Sequence, residues 1–442
     1  MIRLLYNLLF PVGLLLFLPA YLLKMRRRGN YRRNFGQRFA SYSPNVQARL
    51  GQGRGERTWI HAVSVGEVAI ALKLATKLRE LDPAFHCVLT TTTPTGFAVA
   101  EQEAREWMQV MYNPLDFLPV VRRAFASIRP ARLILVEAEV WPNLAAEARK
   151  RGVPIALVNA RLSPRSERRF RQFRTWVAPT FQCLDLVCVQ EEHDIERWEA
   201  LGVPRARVRH VGSIKYDPTE AQINSAVAIE ILRTFNIDAA AQPILFGGST
   251  HPGEEEILAT VFLRCRAEFP SLVLIIAPRH VERTREIVAR LHALGLDVAL
   301  RSTSGVASEA RPDCLLIDTT GELRNWYGVA TVVFMGKSLT TRGGQNPVEP
   351  ILGGKPVIFG PHMENFATLA ASLLDHHGAI EAADAEALGP VCAELLRDGE
   401  ERNRLVTNAA RVLASHRGAT QRTAGLLLAL KSGSPRLGKR SK

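Results

Sequence analysis

Thr58-Trp59-Ile60-His61-Ala62-Val63-Ser64-Val65-Gly66-Glu67 in the N-terminal half and Arg342-Gly343-Gly344-Gln345-Asn346-Pro347-Val348-Glu349-Pro350 in the C-terminal half share one pattern, a loop of small residues that runs into a carboxylate. The first stretch opens on strand formers, so Glu67 falls just past a strand end. An open α/β sheet binds its ligands outside the carboxyl ends of its strands, and a helix that starts there presents unpaired amide hydrogens. One such place in each half predicts two Rossmann-like domains with a cleft between them. A carboxylate facing a glycine-rich helix start suits group transfer.

The rest of the chain keeps the same alternation. Strand-like runs fall at 58–64, 86–92, 133–139, 154–160, 186–190 and 208–213, with helical segments such as 68–81 and 144–151 between them. Pro142 and Asn143 mark the start of the latter helix. Strands alternating with helices mean a parallel sheet covered on both faces. Residues 217–242 lack a strand and read as a connection; the pattern resumes at 243–250, 272–278, 298–302, 314–320, 331–336 and 356–360. The expected organisation is an N-terminal membrane anchor at 1–30, Rossmann-like domains at 31–220 and 221–430, and a disordered basic tail at 431–442.

At 442 residues the chain exceeds one ordinary core, and 47% hydrophobic against 23% charged residues is a globular composition. A formal net charge of +14 calls for an acidic partner: nucleic acid, an anionic membrane or a phosphorylated substrate. Residues 4–23 form a run of 20 without a charge, followed by Lys24, Arg26, Arg27, Arg28, Arg32, Arg33 and Arg38. Charge after the apolar run, with no small-residue cleavage site, argues against a cleaved signal peptide. At 1.5 Å per residue the run matches a hydrocarbon core of roughly 30 Å, and its basic flank places the remainder of the chain on the cytoplasmic side. Pro11, Gly13 and Pro19 weaken the helix and leave a shallow insertion into one leaflet open. The 6 cysteines are scattered without a C-x-x-C pair, as reduced thiols are.

Several strand ends carry candidate chemistry. Glu67 follows Ser64 at capping-box spacing, so a structural and a catalytic reading compete for it. Glu137 and Glu139 end the 133–139 run and at period two share a face. No D-x-D motif or oxygen-ligand cluster accompanies them, and no metal is expected. In the second half Phe246-Gly247-Gly248-Ser249-Thr250-His251-Pro252-Gly253-Glu254 takes a strand into a helix, and Gly248 and Ser249 are placed to cradle phosphate. Pro278 and Arg279 follow another strand, a position suited to gripping a phosphate or a base. Thr320, Gly321 and Glu322, with Thr319 ahead of them, and Asn346, Pro347, Val348 and Glu349 form two more cap-like helix starts. Four such strand ends in one domain point to a nucleotide pocket, although the absence of G-x-G-x-x-G argues against a dinucleotide cofactor. Arg161, Arg165, Arg168, Arg169, Arg171 and Arg174 interleave with Phe170, Phe173 and Trp176. RNA-binding signatures are missing, so this stretch reads as a surface for lipid phosphates, with a plain solvated helix as the other reading.

Ser64-Val65-Gly66-Glu67, Thr93-Pro94-Thr95-Gly96, Glu137-Ala138-Glu139-Val140-Trp141-Pro142-Asn143, Asn159-Ala160-Arg161-Leu162-Ser163, Gly212-Ser213-Ile214-Lys215-Tyr216-Asp217, Pro278-Arg279-His280 and Gly343-Gly344-Gln345-Asn346-Pro347 together resemble the 3-deoxy-D-manno-octulosonic acid (Kdo) transferases of lipopolysaccharide assembly. The resemblance runs from the N-terminal segment to about residue 420. It implies a GT-B fold and transfer of Kdo from CMP-Kdo to a lipid A precursor at the bacterial inner membrane, with no cofactor and no nucleic-acid partner. Glu67 matches the family's catalytic base, and Glu137 and Lys215 match its transition-state stabilisers. Pro278 and Arg279, Thr320 to Glu322 and Asn346 to Glu349 match its CMP-binding segments. Gln345 departs from the histidine usual between Gly-Gly and Asn-Pro, which puts a proton-linked role of that position in doubt.

The implied chemistry suits the residues: a carboxylate takes the proton of an attacking hydroxyl, a second offsets positive charge on the sugar, and cations oppose the charge on departing CMP. One base without a second nucleophile favours inversion. Two other classes stay open on sequence alone. A sugar-nucleotide epimerase or another GT-B enzyme would not need the N-terminal segment; a membrane-attached binding protein would leave Glu67 and Glu137 without a task.

Overall fold

The computed structural model describes residues 2–27, 33–51, 56–217, 224–304 and 310–430. The chain divides into two compact units, Met1–Asp217 with His416–Lys442, and Pro218–Ser415. The expected boundary near residue 220 therefore needs a correction at the other end. The C-terminal helix Ala419–Ala429 belongs to the first unit, where Ala424 and Leu427 enter its core and Arg132 donates to the Leu427 carbonyl at 2.7 Å. The tail expected at 431–442 and the basic residues Arg28 and Arg32 lie outside the described residues.

The first unit is built on β1 (Arg57–His61), β2 (His86–Thr91), β3 (Met108–Tyr112), β4 (Arg132–Val136), β5 (Ile155–Ala160), β6 (Leu186–Val189) and β7 (Val208–His210). The strands lie in the order β3-β2-β1-β4-β5-β6-β7, with every pair parallel. Alternate residues feed two cores. Trp59, Leu133, Leu135 and Leu157 pack on one face, and Ile60, Ile134, Val136 and Val158 on the other, so both faces need apolar side chains. β3 has Gln109 at its centre and escapes the pattern reading; β4 stops at Val136, which puts Glu137 and Glu139 in the loop beyond it rather than in the strand.

The segment expected to be a membrane anchor is helix α1 (Ile2–Arg27), but among the described residues no helix is long and apolar enough to cross a membrane. Its first turns instead lie on the first unit. Tyr6 donates to Asp116 at 3.1 Å, the Asn7 and Asn143 amides exchange hydrogen bonds at 2.8 and 2.9 Å, and Phe10 stacks on Phe117. The outward side is apolar: Leu4, Leu8, Leu15 and Leu16 are 77%, 70%, 70% and 72% exposed. Of the flank read as basic, Arg33 pairs with Glu101 and Arg38 is buried over the Tyr112 ring.

Four further helices position the site of this unit: α2 (Val65–Leu81), α3 (Pro142–Lys150), α4 (Pro164–Gln172) and α5 (Arg174–Phe181). α3 starts at Pro142 as expected, and buried Asp116 caps it by accepting from the amides of Asn143 and Leu144 at 3.0 and 2.8 Å.

The second unit holds β8 (Ile244–Thr250), β9 (Val273–Pro278), β10 (Val298–Leu300), β11 (Cys314–Leu316), β12 (Val332–Met335), β13 (Val357–Phe359) and β14 (Ile380–Glu381), parallel in the order β10-β11-β9-β8-β12-β13-β14. The two-residue β14 is too short to leave a periodic signal. Residues 217–242, read as a connection, include a helix at Ala226–Thr234. Helices α6 (Glu254–Arg266), α7 (Leu323–Tyr327) and α8 (Val348–Leu352) bear on the strand ends.

Candidate functional sites

In the first sheet the chain turns back at the β1–β4 pair, with β2 and β3 to one side and β5 to β7 to the other. Strand ends at such a reversal point leave a crevice. Glu67 stands beyond β1 in the first turn of α2, and Glu137 beyond β4. The capping reading of Glu67 holds: Ser64 Oγ accepts from its amide at 3.4 Å, and its carboxylate accepts from the Val63 amide at 2.9 Å and from the Ser64 amide and hydroxyl at 3.3 and 2.8 Å. A carboxylate has about four lone-pair sites. Three are occupied, which fixes the group and leaves it room for one more proton.

Glu137 adopts φ +61°, a left-handed conformation costing a non-glycine residue roughly 1–2 kcal/mol. The turn brings Glu137 and Glu139 within electrostatic reach of Glu67, in place of the strand periodicity expected to align them. Burial pushes the Glu137 carboxyl up; Arg161 and Lys215 oppose the shift and Glu67 adds to it. The Glu139 carboxyl is pushed up to about 7, by burial first and then by the Glu67 charge. Burial lowers Lys215 while Glu137 holds it charged. Three carboxylates, a lysine and an arginine of the first unit are thus linked electrostatically, with Glu137 within reach of both signs. Arg161, expected on the arginine-rich surface, also lies within electrostatic reach of Glu137. Glu139, which sequence suggests only as a metal ligand, joins this set as a titrating group.

The loop carrying Lys215 is braced from two sides. Asn159, at φ +51°, accepts from Ser213 Oγ at 3.2 Å and the Ile214 amide at 2.9 Å. Asp217 accepts from the amides of Gly418 and Thr420 at 2.7 and 2.8 Å, and buried His416 accepts from the Ser213 amide at 3.3 Å. Burial lowers the His416 ring to about 4, so it is neutral and able to accept. The C-terminal partners carry no local sequence signal.

Of the remaining arginines Arg174 starts α5 and the others lie on α4, where Arg168, Arg169 and Arg171 are exposed and Arg171 pairs with Glu167 at 2.9 Å. Phe170 packs inward on Phe181, while Phe173 and Trp176 stay about half exposed.

The second sheet turns back at the β8–β12 pair. Glu254, fully buried at the start of α6, links the two strand ends by accepting from the amides of His251 (2.8 Å), Lys337 (2.7 Å), Ser338 (2.9 Å) and Leu339 (3.1 Å). Gly336 is needed at this junction, because a Cβ there would stand 2.3 Å from the Ser249 carbonyl oxygen. Glu254, Glu255 and Glu256 fill the first turn of α6, so its dipole is answered from within and its start is not the open phosphate cradle expected from the sequence. The positive charge comes from side chains instead. Burial, then Lys337, His280, Arg279 and Arg283, lower His251 to about 4. Neutral His251 meets the Gln345 amide at 3.2 Å. Histidine and glutamine thus meet beside these cations, and neither carries a charge.

Gly248 and Ser249 adjoin buried Tyr327, whose hydroxyl bonds Ser249; Glu349 lies near that tyrosine and faces Arg324. Asn346 accepts from the Val348 amide at 3.1 Å, the turn expected before α8. Pro278 ends β9, and the exposed Arg279 follows it. Thr320, Gly321 and Glu322 form a separate knot beyond β11, with Glu322 bonded to Thr319 and paired with Arg301 at 3.1 Å. Lys337, Tyr327 and Arg324 stand outside every motif that the sequence singles out; His251 stands inside one. Among the described residues no group of three or more His, Cys, Asp and Glu is placed to hold a metal ion.

The family model for 3-deoxy-D-manno-octulosonic-acid transferase (kdotransferase) matches residues 33–218. The 3-deoxy-D-manno-octulosonic acid transferase of Haemophilus influenzae is 33% identical over 398 residues, covering 90% of this chain and 91% of that protein. Its counterpart from Bordetella pertussis is 35% identical over 375 residues, covering 83% and 85%. Among solved structures, a Listeria monocytogenes protein described as a putative UDP-N-acetylglucosamine 2-epimerase is similar at a TM-score of 0.54 and 12% identity, over 87% of this chain and 100% of that one, a likeness of fold alone. The extent and identity of the match to its relatives place this chain in the 3-deoxy-D-manno-octulosonic acid transferase family.

Proposed function

We propose that the protein transfers Kdo, with inversion, from CMP-Kdo to a phosphorylated lipid A precursor, lipid IVA. The observation that carries the reading is the electrostatic linkage of Glu67, Glu137 and Glu139 with Arg161 and Lys215, in a member of a family of Kdo transferases. Glu67 takes the proton of the attacking acceptor hydroxyl at its remaining lone pair. Glu137 offsets the positive charge that develops on the sugar, and Lys215 keeps Glu137 ionised and opposes charge on the leaving group. Glu139, with its carboxyl pushed up to about 7, is partly protonated at neutrality and adds less than a full third negative charge beside the other two.

In the second unit Lys337 and Arg279 suit the phosphate of CMP, and Glu349 with Ser249 and Tyr327 suits its ribose and base. These side chains supply the charge that a metal ion would otherwise contribute, so transfer proceeds without one. The exposed leucines of α1 suit the surface of a bilayer, with the helix lying in one leaflet on the cytoplasmic side of the inner membrane. Arg168, Arg169 and Arg171 meet phosphates there.

The test is to incubate the purified protein with CMP-Kdo, generated in situ, and lipid IVA. The expected outcome is CMP release and a Kdo-bearing lipid only when both substrates are present. CMP release without lipid, or binding without release, would overturn the transferase reading.

A further inference from the structure

A cavity of about 960 Å³ opens in the first unit between α1, α3 and α5, away from the residues given catalytic roles above. Leu4, Leu118, Pro142, Ala146, Trp176 and Pro179 make its wall apolar. Arg3, Arg149 and Lys150 also line it, and no carboxylate does. The cavity is continuous with the exposed side of α1, because Leu4 belongs to both. An apolar slot that carries three cations matches the shape and charge of a single-chain apolar tail ending in an anion. A nucleotide would leave the apolar wall unused, and a neutral lipid would leave three cations unanswered.

We infer that this cavity seats one acyl chain of an anionic phospholipid, with its phosphate held by Arg3, Arg149 and Lys150. The inference rests on the reading of α1 as a membrane-surface helix and adds to it a specific lipid site. Surface leucines alone attach a protein to any bilayer, whereas a seat of this kind selects for headgroup charge. A bound lipid would also tie α1 to α3 and α5, adding to the contacts of Tyr6, Asn7 and Phe10.

Cys183 provides the reporter. It lines the cavity, and it is the one described cysteine that is not buried, its thiol bonded to the Pro179 carbonyl at 3.3 Å. Burial raises its pKa, so alkylation is slow and sensitive to any molecule that covers the thiol. The full-length protein is treated with a maleimide, and modification of Cys183 is followed by mass spectrometry, with soluble short-chain phosphatidylglycerol or phosphatidylcholine at constant buffer and detergent. Phosphatidylglycerol at ten times its dissociation constant should slow alkylation about tenfold, and phosphatidylcholine far less. Arg149→Ala combined with Lys150→Ala should remove the difference between the lipids, and Ala146→Trp should remove the slowing by filling the slot. Equal slowing by both lipids, or none by either, overturns the inference. Slowing by lipid IVA but not by phosphatidylglycerol reassigns the cavity to the acceptor and equally overturns it. Flotation with vesicles reports separately on the outer face of α1, so its failure would count against the membrane-surface reading while the soluble-lipid result still decides the cavity.

Discussion

The two units set out the same parallel seven-stranded plan and treat charge at the reversal point of the sheet in opposite ways. In the second unit the buried carboxylates are consumed by the fold. Glu254 takes four backbone amides, and Glu255 is held by Arg283 and the Thr250 hydroxyl, while Lys337 and Arg279 stand near His251. At the reversal point of the first unit Glu67 is tied to backbone, while burial raises the carboxyls of Glu137 and Glu139 and the Glu67 charge adds to both shifts. A satisfied carboxylate stabilises structure; an under-satisfied one is available for proton and charge chemistry. On the proposed function, the contrast separates an anion-binding unit from a proton-handling one.

The largest effect should come from Glu67. Glutamine can serve in a capping box, so Glu67→Gln should keep the fold and CMP affinity while turnover falls roughly 10²- to 10⁴-fold. Near-normal turnover in that variant would reduce Glu67 to a cap. Next in size is Arg279→Ala, expected to weaken CMP binding about tenfold to a hundredfold in calorimetric titration, the range for a lost charge-assisted hydrogen bond. Unchanged affinity would remove Arg279 from the anion site and blur the contrast between the units.

Glu139 sharpens the comparison through pH. Its folded-state pKa of about 7 lies above the ordinary 4.5, so between those values the native protein binds more protons than the unfolded one, and stability falls as pH rises through the window. Glu139→Gln removes that slope, and above the window it should be the more stable form by about 1–2 kcal/mol, allowing for solvent screening. Urea melts of both proteins on either side of the window give the result; parallel pH dependence would show that Glu139 is not held protonated. The smallest expected effect is that of excess EDTA on transfer, which should be none. A loss of activity that Mg²⁺ restores would mean that the side-chain cations do not suffice.

The doubly wound plan is legible in the sequence because a strand buried on both faces is a continuous apolar run, as at Ile155–Ala160 and Val273–Pro278. Glu67 is legible too, since its capping role and its strand-end position are both local. The features that escape depend on backbone turns or on distant partners. A left-handed residue at Glu137 ends a strand that the sequence run would prolong, and Arg161, just past another strand end, comes within electrostatic reach of Glu137. Glu254 looks like one more acidic residue at a helix start, and its four amide partners come from both sides of a sheet reversal that only the folded topology brings together.

The return of the C-terminal helix to the first unit has a consequence for synthesis on the ribosome. The amides that Asp217 accepts belong to Gly418 and Thr420, the latter 203 residues later, a delay of roughly 10–40 s at ordinary elongation rates. The second unit is complete in sequence before the first, whose Lys215 loop waits for the last helix to be made. A chain released at Ser415 should retain a protease-resistant second unit while its first unit, without the partners of Asp217 and Ser213, is cleaved more readily.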